Sequence, residues 1–348
     1  MTESIHVVPF SQIIGQEKAI QVLKKAMARE RMPHAYLFVG IHGVGKTTTA
    51  LALAQAVNCD APVEGEACDR CRLCRQILNG NFPDLTVINP DGRSIKIEQI
   101  RELNRAFSFK PVAGRYRVSI VRQAELMTEE AANSFLKTLE EPPEGNILIL
   151  DVKEPRDLLP TIVSRCQKVL FRPIPAPLIE KWLQDHMDVD PLRASVLARI
   201  SQGSLARALD LNDDEFMEER GYYVSQFQRL ATLSASELLE MALMITKKDN
   251  KRESDSSGGR GPAGLTSPLE IWGTCYRDLL FLKTGCGEDL LINVDFSDKL
   301  KKVSEDYNMH SLVQCILLLN RAQKESARGR NPDLLMENTL LALNRLAG

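Results

Sequence analysis

The sequence predicts an α/β P-loop domain with a parallel sheet, followed by a small helical lid and an all-α C-terminal domain. Short apolar runs alternate with helical patterns as far as residue 171, which indicates parallel strands with helices on both faces. A glycine-rich loop follows the first of these runs, and beyond residue 212 the pattern stays helical. We therefore expect three domains, at residues 1–172, 173–211 and 212–348.

The composition is that of an ordinary globular protein. Of its 348 residues, 44% are apolar and 26% are charged, and the formal net charge is −2. A chain so close to neutral is not expected to bind DNA through its overall charge. It contains no run of eighteen apolar residues, and its first ten residues lack the pattern of a signal peptide. We therefore expect no membrane span and a cytoplasmic location.

The stretch from Gly40 to Thr47 fits the phosphate-binding pattern G-x-x-x-x-G-K-[ST], between an apolar run and an alanine-rich helical segment. The glycines let several backbone N–H groups converge on one anion, and the helix N-terminus adds its positive dipole end. Lys46 is expected to reach the outer phosphates of ATP or ADP, and Thr47 to offer its hydroxyl to Mg²⁺. The candidate nucleotide-binding residues are Gly40, Gly43, Val44, Gly45, Lys46, Thr47 and Thr48.

Strand and helix patterns continue along the chain from this loop. Thr128 is the expected N-cap of a helix, because Glu129 and Glu130 occupy its first turn. The proline-rich stretch 172–177 is a predicted stiff linker, and the polar segment 247–266 a predicted disordered loop. The predicted strands are Tyr36–Val39, Leu85–Ile88, Arg117–Val121, Asn146–Leu150 and Lys168–Phe171.

A cluster of four cysteines, Cys59, Cys68, Cys71 and Cys74, lies in the stretch 59–80 and interrupts the α/β pattern. Cysteine thiolates at such spacing bind zinc tetrahedrally, and four of them leave no open coordination position. We therefore expect a structural Zn²⁺ site in an inserted module. An iron–sulfur cluster is the alternative, because thiolates suit it equally.

The acids of a P-loop ATPase are missing from their expected place. Such enzymes need a carboxylate at the end of a neighbouring strand to hold magnesium, and usually a second acid to activate water. The third predicted strand is followed instead by Arg122 and Gln123, which can perform neither task. Glu125 comes three residues later and is expected to be a surface acid. The sequence thus predicts nucleotide binding with absent or weak hydrolysis.

Other motifs accompany the P-loop and the cysteine insertion: Ile14-Gly15-Gln16, Phe82-Pro83-Asp84, the run N-x-x-L-K-T-L-E-E-P-P over 133–143, and Ser164-Arg165-Cys166. Together these motifs resemble those of the delta-prime subunits of the bacterial DNA polymerase III clamp loader, which belong to the AAA+ superfamily. The resemblance covers residues 9–210. It implies an AAA+ domain and a C-terminal domain that packs into a collar with those of other subunits.

The gamma/tau motor subunits share most of these motifs and are the nearest alternative. They carry Asp-Glu where this chain has Arg122-Gln123, and a phosphate-sensing arginine where it has Ala206. Arg207 follows one residue later, which places it about 100° further around a helix. Both departures favour the non-motor subunit.

The resemblance implies that Arg165 acts in trans, as an arginine finger in the ATP site of a neighbouring subunit. The implied partners are gamma/tau and delta subunits in a hetero-pentamer, the sliding clamp, and primer–template DNA reached through the assembly. The implied function is to assist ATP-dependent clamp loading within a DNA polymerase holoenzyme. The alternatives are a hydrolytically active motor of gamma/tau type and a zinc-dependent DNA-binding module with a vestigial P-loop.

Overall fold

A computed structural model of the protein describes residues 7–29, 31–255 and 267–347. The chain forms two compact units, one comprising Met1–Leu178 with Gly203–Leu205 and the other Ile179–Gln202 with Ala206–Gly348. The first unit contains the sheet, and the second is helical. Most of the stretch assigned to a lid groups with the second unit, and the three-domain boundaries stay a prediction.

The α/β unit is built on a sheet of five strands. All of its pairings are parallel, and the strand order is β2-β3-β4-β1-β5. The predicted parallel sheet is therefore confirmed, with strand ends within two residues of those expected. The strands are β1 Ala35–Val39, β2 Leu85–Ile88, β3 Arg117–Val121, β4 Asn146–Val152 and β5 Gln167–Leu170.

Helices cover both faces of this sheet. Tyr36 and Phe38 of β1 pack on one face with Leu53, whereas Leu37 packs on the other face with Phe135. Burial on both faces explains why the strands read as continuous apolar runs. The helices of this unit are α1 Glu17–Ala28, α2 Lys46–Asn58, α3 Arg72–Leu78, α4 Ile97–Phe107, α5 Glu129–Glu140 and α6 Pro160–Val163.

The cap predicted for α5 is present. The side chain of Thr128 accepts a hydrogen bond from the N–H of Ala131, and Glu129 and Glu130 lie in the first turn. Together with the prolines that follow its last turn, this cap fixes both ends of α5.

The second unit contains helices and no strand among its described residues. Its core is centred on the aromatic side chains of Tyr223, Trp272 and Tyr276, and the indole N–H of Trp272 donates to the carbonyl of Tyr223 at 2.9 Å. No helix in the described part of the chain is both long and apolar enough to cross a membrane. The remaining helices are α7 Ala176–Met187, α8 Pro191–Ile200, α9 Leu205–Asp210, α10 Asp214–Phe227, α11 Ala235–Asp255, α12 Pro268–Lys283, α13 Ser297–Ser304, α14 Met309–Ala327 and α15 Pro332–Leu346.

The loop predicted at 247–266 requires a correction at its beginning. Helix α11 continues to Asp255, so residues 247–255 are helical. Lysine, arginine and glutamate have high helix propensities, so a run rich in them can continue a helix as well as form a loop. The rest of the predicted loop, 256–266, lies outside the described residues.

Candidate nucleotide-binding site and cysteine cluster

The P-loop joins the end of β1 to the start of α2. Gly43 and Gly45 have φ angles of 78° and 97°, a conformation that glycine adopts without strain. A Cβ atom on Gly40 would lie 2.6 Å from the carbonyl oxygen of Phe171, so that position also requires glycine. The first N–H groups of α2 have no acceptor within the helix and are free to bind an anion. The strand–loop–helix geometry is therefore the one that the motif predicts.

Lys46 is buried at the base of this loop, with 6% of its surface exposed. Its ammonium group donates to the carbonyl oxygen of Gly40 and, at 2.8 Å, to that of Ile41. It also lies 3.1 Å from Oδ1 of Asp151, whose Oδ2 accepts a hydrogen bond from the Thr47 hydroxyl at 3.2 Å. The lysine and threonine predicted to bind nucleotide thus share one carboxylate.

Asp151 is the site residue that the sequence analysis missed. It lies in β4, the strand that pairs with β1, directly beside Phe38 in the sheet register. Only 8% of its surface is exposed, and this burial raises its pKa, although Lys46 and Thr47 act in the opposite direction. An aspartate within the apolar run of β4 was the available signal, because a charged residue is rarely buried in a strand without a partner.

A second carboxylate, that of Glu125, lies near enough to Lys46 and Asp151 to be affected by their charges. Glu125 is half-buried in a short 3-10 turn after β3, not the exposed acid that we expected. Burial raises its pKa, and the charge of Asp151 raises it further, whereas Lys46 lowers it. Its Oε2 atom is buried without a hydrogen-bond partner among the described residues. The site therefore contains one ammonium group and two acids.

The end of β3 carries no acid. Arg122 directly follows the strand and donates to Oδ1 of Asn89 at 3.1 Å, across from the end of β2. Gln123 has φ 50° and ψ 53°, a left-handed conformation that is uncommon for residues other than glycine. The strand position at which P-loop ATPases place their magnesium ligand is thus occupied by a cation and an amide.

Gln16 connects the P-loop to the stretch that follows β5. Its side-chain N–H₂ group donates to the carbonyl oxygens of Val44 at 3.2 Å and Arg172 at 2.8 Å. Its side-chain oxygen accepts the N–H of Arg172 at 3.1 Å, and only 2% of the residue is exposed. The sequence singled out Gln16 within a motif, and the structure gives its role, which is to fix the backbone beside the loop.

The four clustered cysteines converge around one point. The sulfur atoms of Cys59, Cys68, Cys71 and Cys74 all lie within 4.8 Å of one another, so they could hold a metal ion. Backbone N–H groups of Arg70 and Cys71 lower the pKa of Cys68 to about 6, which favours its thiolate. A tetrahedral ion with metal–sulfur bonds of about 2.3 Å requires sulfurs about 3.8 Å apart, so the cluster fits such an ion.

The inserted module is also attached to the rest of the α/β unit. Glu66, within the cysteine stretch, accepts the N–H of Phe10 at 2.9 Å and the ammonium of Lys24 at 2.7 Å. Gln55 of α2 donates to Asp69 at 3.0 Å. A metal in the cluster would therefore stabilise a segment that is tied to α1 and α2.

Arg165 lies in the turn between α6 and β5. Its guanidinium donates to Oε1 of Glu140 at 2.8 Å and to the carbonyl of Thr161 at 2.9 Å, and 35% of its side chain is exposed. These partners belong to α5 and α6, not to the group around Lys46. The neighbouring Cys166 is half-buried, and burial raises its pKa to about 12, so it is not a nucleophile at neutral pH.

Arg207 lies in the helical unit, one residue after Ala206. Its guanidinium donates to Oε2 of Glu270 in α12 at 3.4 Å. Burial lowers the pKa of Arg207, and the charge of Glu270 opposes this shift. This arginine therefore has a carboxylate partner within its own unit.

Comparison with known proteins identifies relatives that match most of the chain. A family model described as "DNA polymerase III, delta subunit" matches residues 15–175. The DNA polymerase III subunit delta' of Bacillus subtilis is 34% identical over 334 residues, covering 94% of this chain and 96% of that protein. Subunit tau of the same organism is 30% identical over 343 residues, covering 94% of this chain but 60% of tau.

A crystal structure of a gamma subunit-related protein from Thermotoga maritima matches 95% of this chain and 100% of its own, with 18% identity and a TM-score of 0.47. The sequence match to delta' extends over nearly the whole of both proteins. This chain belongs to the family of DNA polymerase III clamp-loader subunits that includes delta' and tau.

Proposed function

We propose that this chain is a non-motor subunit of the clamp loader, of delta-prime type, and assists the ATP-dependent loading of a sliding clamp onto primed DNA. The observation that carries the proposal is the end of β3, where Arg122 and Gln123 follow the strand directly. A motor needs a magnesium-binding carboxylate and a base at that place. The absence of both from these two positions supports a subunit that does not drive the reaction itself.

The P-loop residues fit a bound nucleotide, ATP or ADP. The three glycines keep the loop backbone open to a phosphate, and Lys46 is held by carbonyl groups with its ammonium beside the loop. Lys46 would contact the outer phosphates, while Gly40, Gly43, Val44, Gly45 and Thr48 would line the phosphate cradle. The nucleotide would supply binding energy that braces the α/β unit.

Arg165 would supply chemistry at another subunit's site. Its guanidinium is partly exposed, at a turn of the α/β unit, and bonds to Glu140 of α5 and to the carbonyl of Thr161 in α6. An arginine placed against a transferring phosphoryl group stabilises the charge that develops there. For this role the exposed ion pair with Glu140 would have to open, which costs little at a protein surface.

The helical unit would join the collar of a hetero-pentamer with gamma/tau and delta subunits. Met309, Val313 and Leu317 recur every four residues along α14, and all three side chains are exposed. Such a stripe is the pattern of a helix that packs against a partner. Sliding clamp and primer–template DNA would be contacted through the assembly.

We further propose that the cysteine cluster holds one structural Zn²⁺ ion. Purified protein is expected to contain about one equivalent of zinc, and a chelator that removes it should lower the thermal midpoint, because metal-binding free energy contributes to folding. Cys71→Ser should lose both the zinc and the chelator effect. Cys286→Ser, which removes a cysteine outside the cluster, serves as the control. Iron in place of zinc would contradict this assignment.

A hydrolytically active motor of gamma/tau type is the second candidate. The observation that favours it is Glu125, whose buried Oε2 has no hydrogen-bond partner among the described residues and whose pKa is affected by the charges of Asp151 and Lys46. If Glu125 activated water, the isolated chain would turn over ATP. The proposed role requires no such turnover.

The deciding experiment measures ATP hydrolysis by the isolated chain and by its mixture with gamma/tau and delta subunits. We expect negligible hydrolysis by the chain alone, and a stable complex with DNA-stimulated hydrolysis once the partners are present. Steady hydrolysis by the isolated chain that Lys46→Ala abolishes would support the motor instead. Failure to enter the complex would contradict a clamp-loader role of either kind.

A further inference from the structure

The carboxylate of Asp151 lies beside the P-loop, on the neighbouring strand β4. It belongs to β4, which lies between β1 and β3, and it pairs in register with Phe38, two residues before the P-loop begins. Its two oxygens are divided between Lys46 Nζ at 3.1 Å and Thr47 Oγ1 at 3.2 Å. Asp151 thus contacts both of the P-loop side chains that are predicted to contact a nucleotide.

We propose that Asp151 supplies the carboxylate of a divalent-cation site, together with the Thr47 hydroxyl, and so replaces the acid that β3 lacks. The inference rests on the proposed nucleotide binding and states that the bound ligand is the complex of a nucleotide with Mg²⁺. The site would take its other ligands from nucleotide phosphates and water, as Mg²⁺ sites usually do.

The spacing of the two oxygens supports this assignment. Ligands at about 2.1 Å from an octahedral Mg²⁺ ion lie about 3.0 Å apart when they are adjacent. Thr47 Oγ1 and Asp151 Oδ2 are 3.2 Å apart. One cation could therefore accept both oxygens with only a small adjustment of either side chain. A carboxylate and a hydroxyl are also the oxygen donors that this hard cation prefers.

Asp151 has a competing interpretation, in which it only neutralises Lys46 and keeps phosphate away. The lysine does not need Asp151 to stay in place, because the carbonyl oxygens of Gly40 and Ile41 already accept its protons. A neutralising role also gives no reason for the bond to Thr47. The two interpretations predict opposite effects of removing the charge.

The experiment measures binding of fluorescent ADP to the isolated full-length chain, in Mg²⁺ and in excess EDTA. For the unaltered chain we expect binding at least about tenfold tighter in Mg²⁺. Asp151→Asn should bring the ratio of the ADP dissociation constant in EDTA to that in Mg²⁺ close to one, mainly by weakening the binding in Mg²⁺. Thr47→Ala, which leaves every charge in place, should also reduce the ratio. With Mn²⁺ in place of Mg²⁺, the resonance spectrum of the protein-bound ion should be lost in Asp151→Asn.

Asp91→Asn is the matched control, since it makes the same change at an exposed acid paired with Lys96. Its ratio should equal that of the unaltered chain, and urea unfolding shows whether each variant is folded. An unchanged ratio in Asp151→Asn overturns the proposal. Equally tighter ADP binding of this variant in Mg²⁺ and in EDTA also overturns it, because Asp151 would then only keep phosphate away from Lys46. Absence of ADP binding by the unaltered chain would overturn it too. That outcome leaves entry into the clamp-loader complex, measured separately, unaffected.

Discussion

Asp84→Ala is expected to destabilise the α/β unit by about 3–5 kcal/mol, the usual cost of removing one partner from a buried ion pair. Asp84 is fully buried, and Arg117 is 6% exposed. Nη2 of Arg117 lies 2.9 Å from Oδ1 of Asp84, and its other partners are carbonyl groups that cannot neutralise its charge. The variant would leave a buried guanidinium without a counter-ion.

The same carboxylate also holds a loop. Its oxygens accept the backbone N–H groups of Val112, Ala113 and Gly114 at 2.7–3.0 Å. These three N–H groups would lose their acceptor, and each one that water does not reach adds to the cost. The loop precedes β3, so a change in its conformation would disturb the strand that Arg122 and Gln123 follow.

Chemical denaturation at pH 7 measures this effect, with the sheet followed by circular dichroism. Asp91→Ala is the control, because it removes an aspartate from an exposed pair with Lys96 at 2.8 Å. We expect no measurable shift of the unfolding midpoint in the control, since exposed pairs contribute little. A midpoint for Asp84→Ala equal to that of the control would contradict the structural account.

The contribution of Asp84 should depend on pH in one direction. Burial alone would raise its pKa, but the three N–H groups and Arg117 outweigh burial and lower it. A lowered pKa in the folded state means that the stabilisation is fully present above the unfolded pKa, about 4, and is lost as the pH falls through the folded pKa. The stability difference between the original chain and Asp84→Ala should be constant from pH 7 to about 5 and shrink below about 4.

Local patterns were enough to predict the strands of the sheet and the strand–loop–helix around Lys46. Burial on both faces gives the strands continuous apolar runs, and the P-loop is defined by consecutive residues. The cysteine cluster could also be predicted, because its four cysteines are closely spaced in the sequence. The structure brings all four sulfur atoms together. These features are formed by residues that lie close together in the sequence, so they can be predicted from the sequence alone.

The contacts of Asp151 could not be read in this way. It is separated from Lys46 by more than a hundred residues, and the two meet only because β4 pairs with β1. An acid was expected at the end of β3, and the strand predicted at Asn146–Leu150 ended one residue before Asp151, which lies within β4. The misplaced start of the 247–266 loop has a different cause, because charged residues can extend a packed helix as well as form a loop.

Arg165→Ala is expected to lower ATP hydrolysis at the neighbouring subunit's site by about 10³-fold or more, the usual effect of removing an arginine finger. Single-turnover measurements on the assembled complex give the rate at that site. The steady-state ATP turnover of the complex should fall at least by the fraction that the neighbouring subunit's site contributes to it. Assembly should survive, because Arg165 is partly exposed and its bonds are to a surface glutamate and one carbonyl group.

Two variants distinguish a finger from a structural arginine. If the role of Arg165 were to pair with Glu140, then Glu140→Gln would reproduce the defect of Arg165→Ala. A finger predicts instead that Glu140→Gln leaves the hydrolysis rate intact, because the guanidinium has to leave Glu140 to reach the phosphate. Arg165→Lys should rescue little, because an ammonium group lacks the planar fork that binds two phosphate oxygens. Arg156→Ala, which removes an arginine whose side chain is 80% exposed, controls for the loss of one positive charge.

The outcome of this comparison decides where the chain contributes its chemistry. With Arg122 and Gln123 at the end of β3, the chain lacks the acids of a motor at that strand end, while the partly exposed Arg165 is proposed to act in an assembly. A defect in Arg165→Ala that Glu140→Gln does not share, in a complex that still assembles, would place that contribution in the neighbouring subunit's site. Unchanged hydrolysis in Arg165→Ala would leave the chain with a purely structural part in the clamp loader.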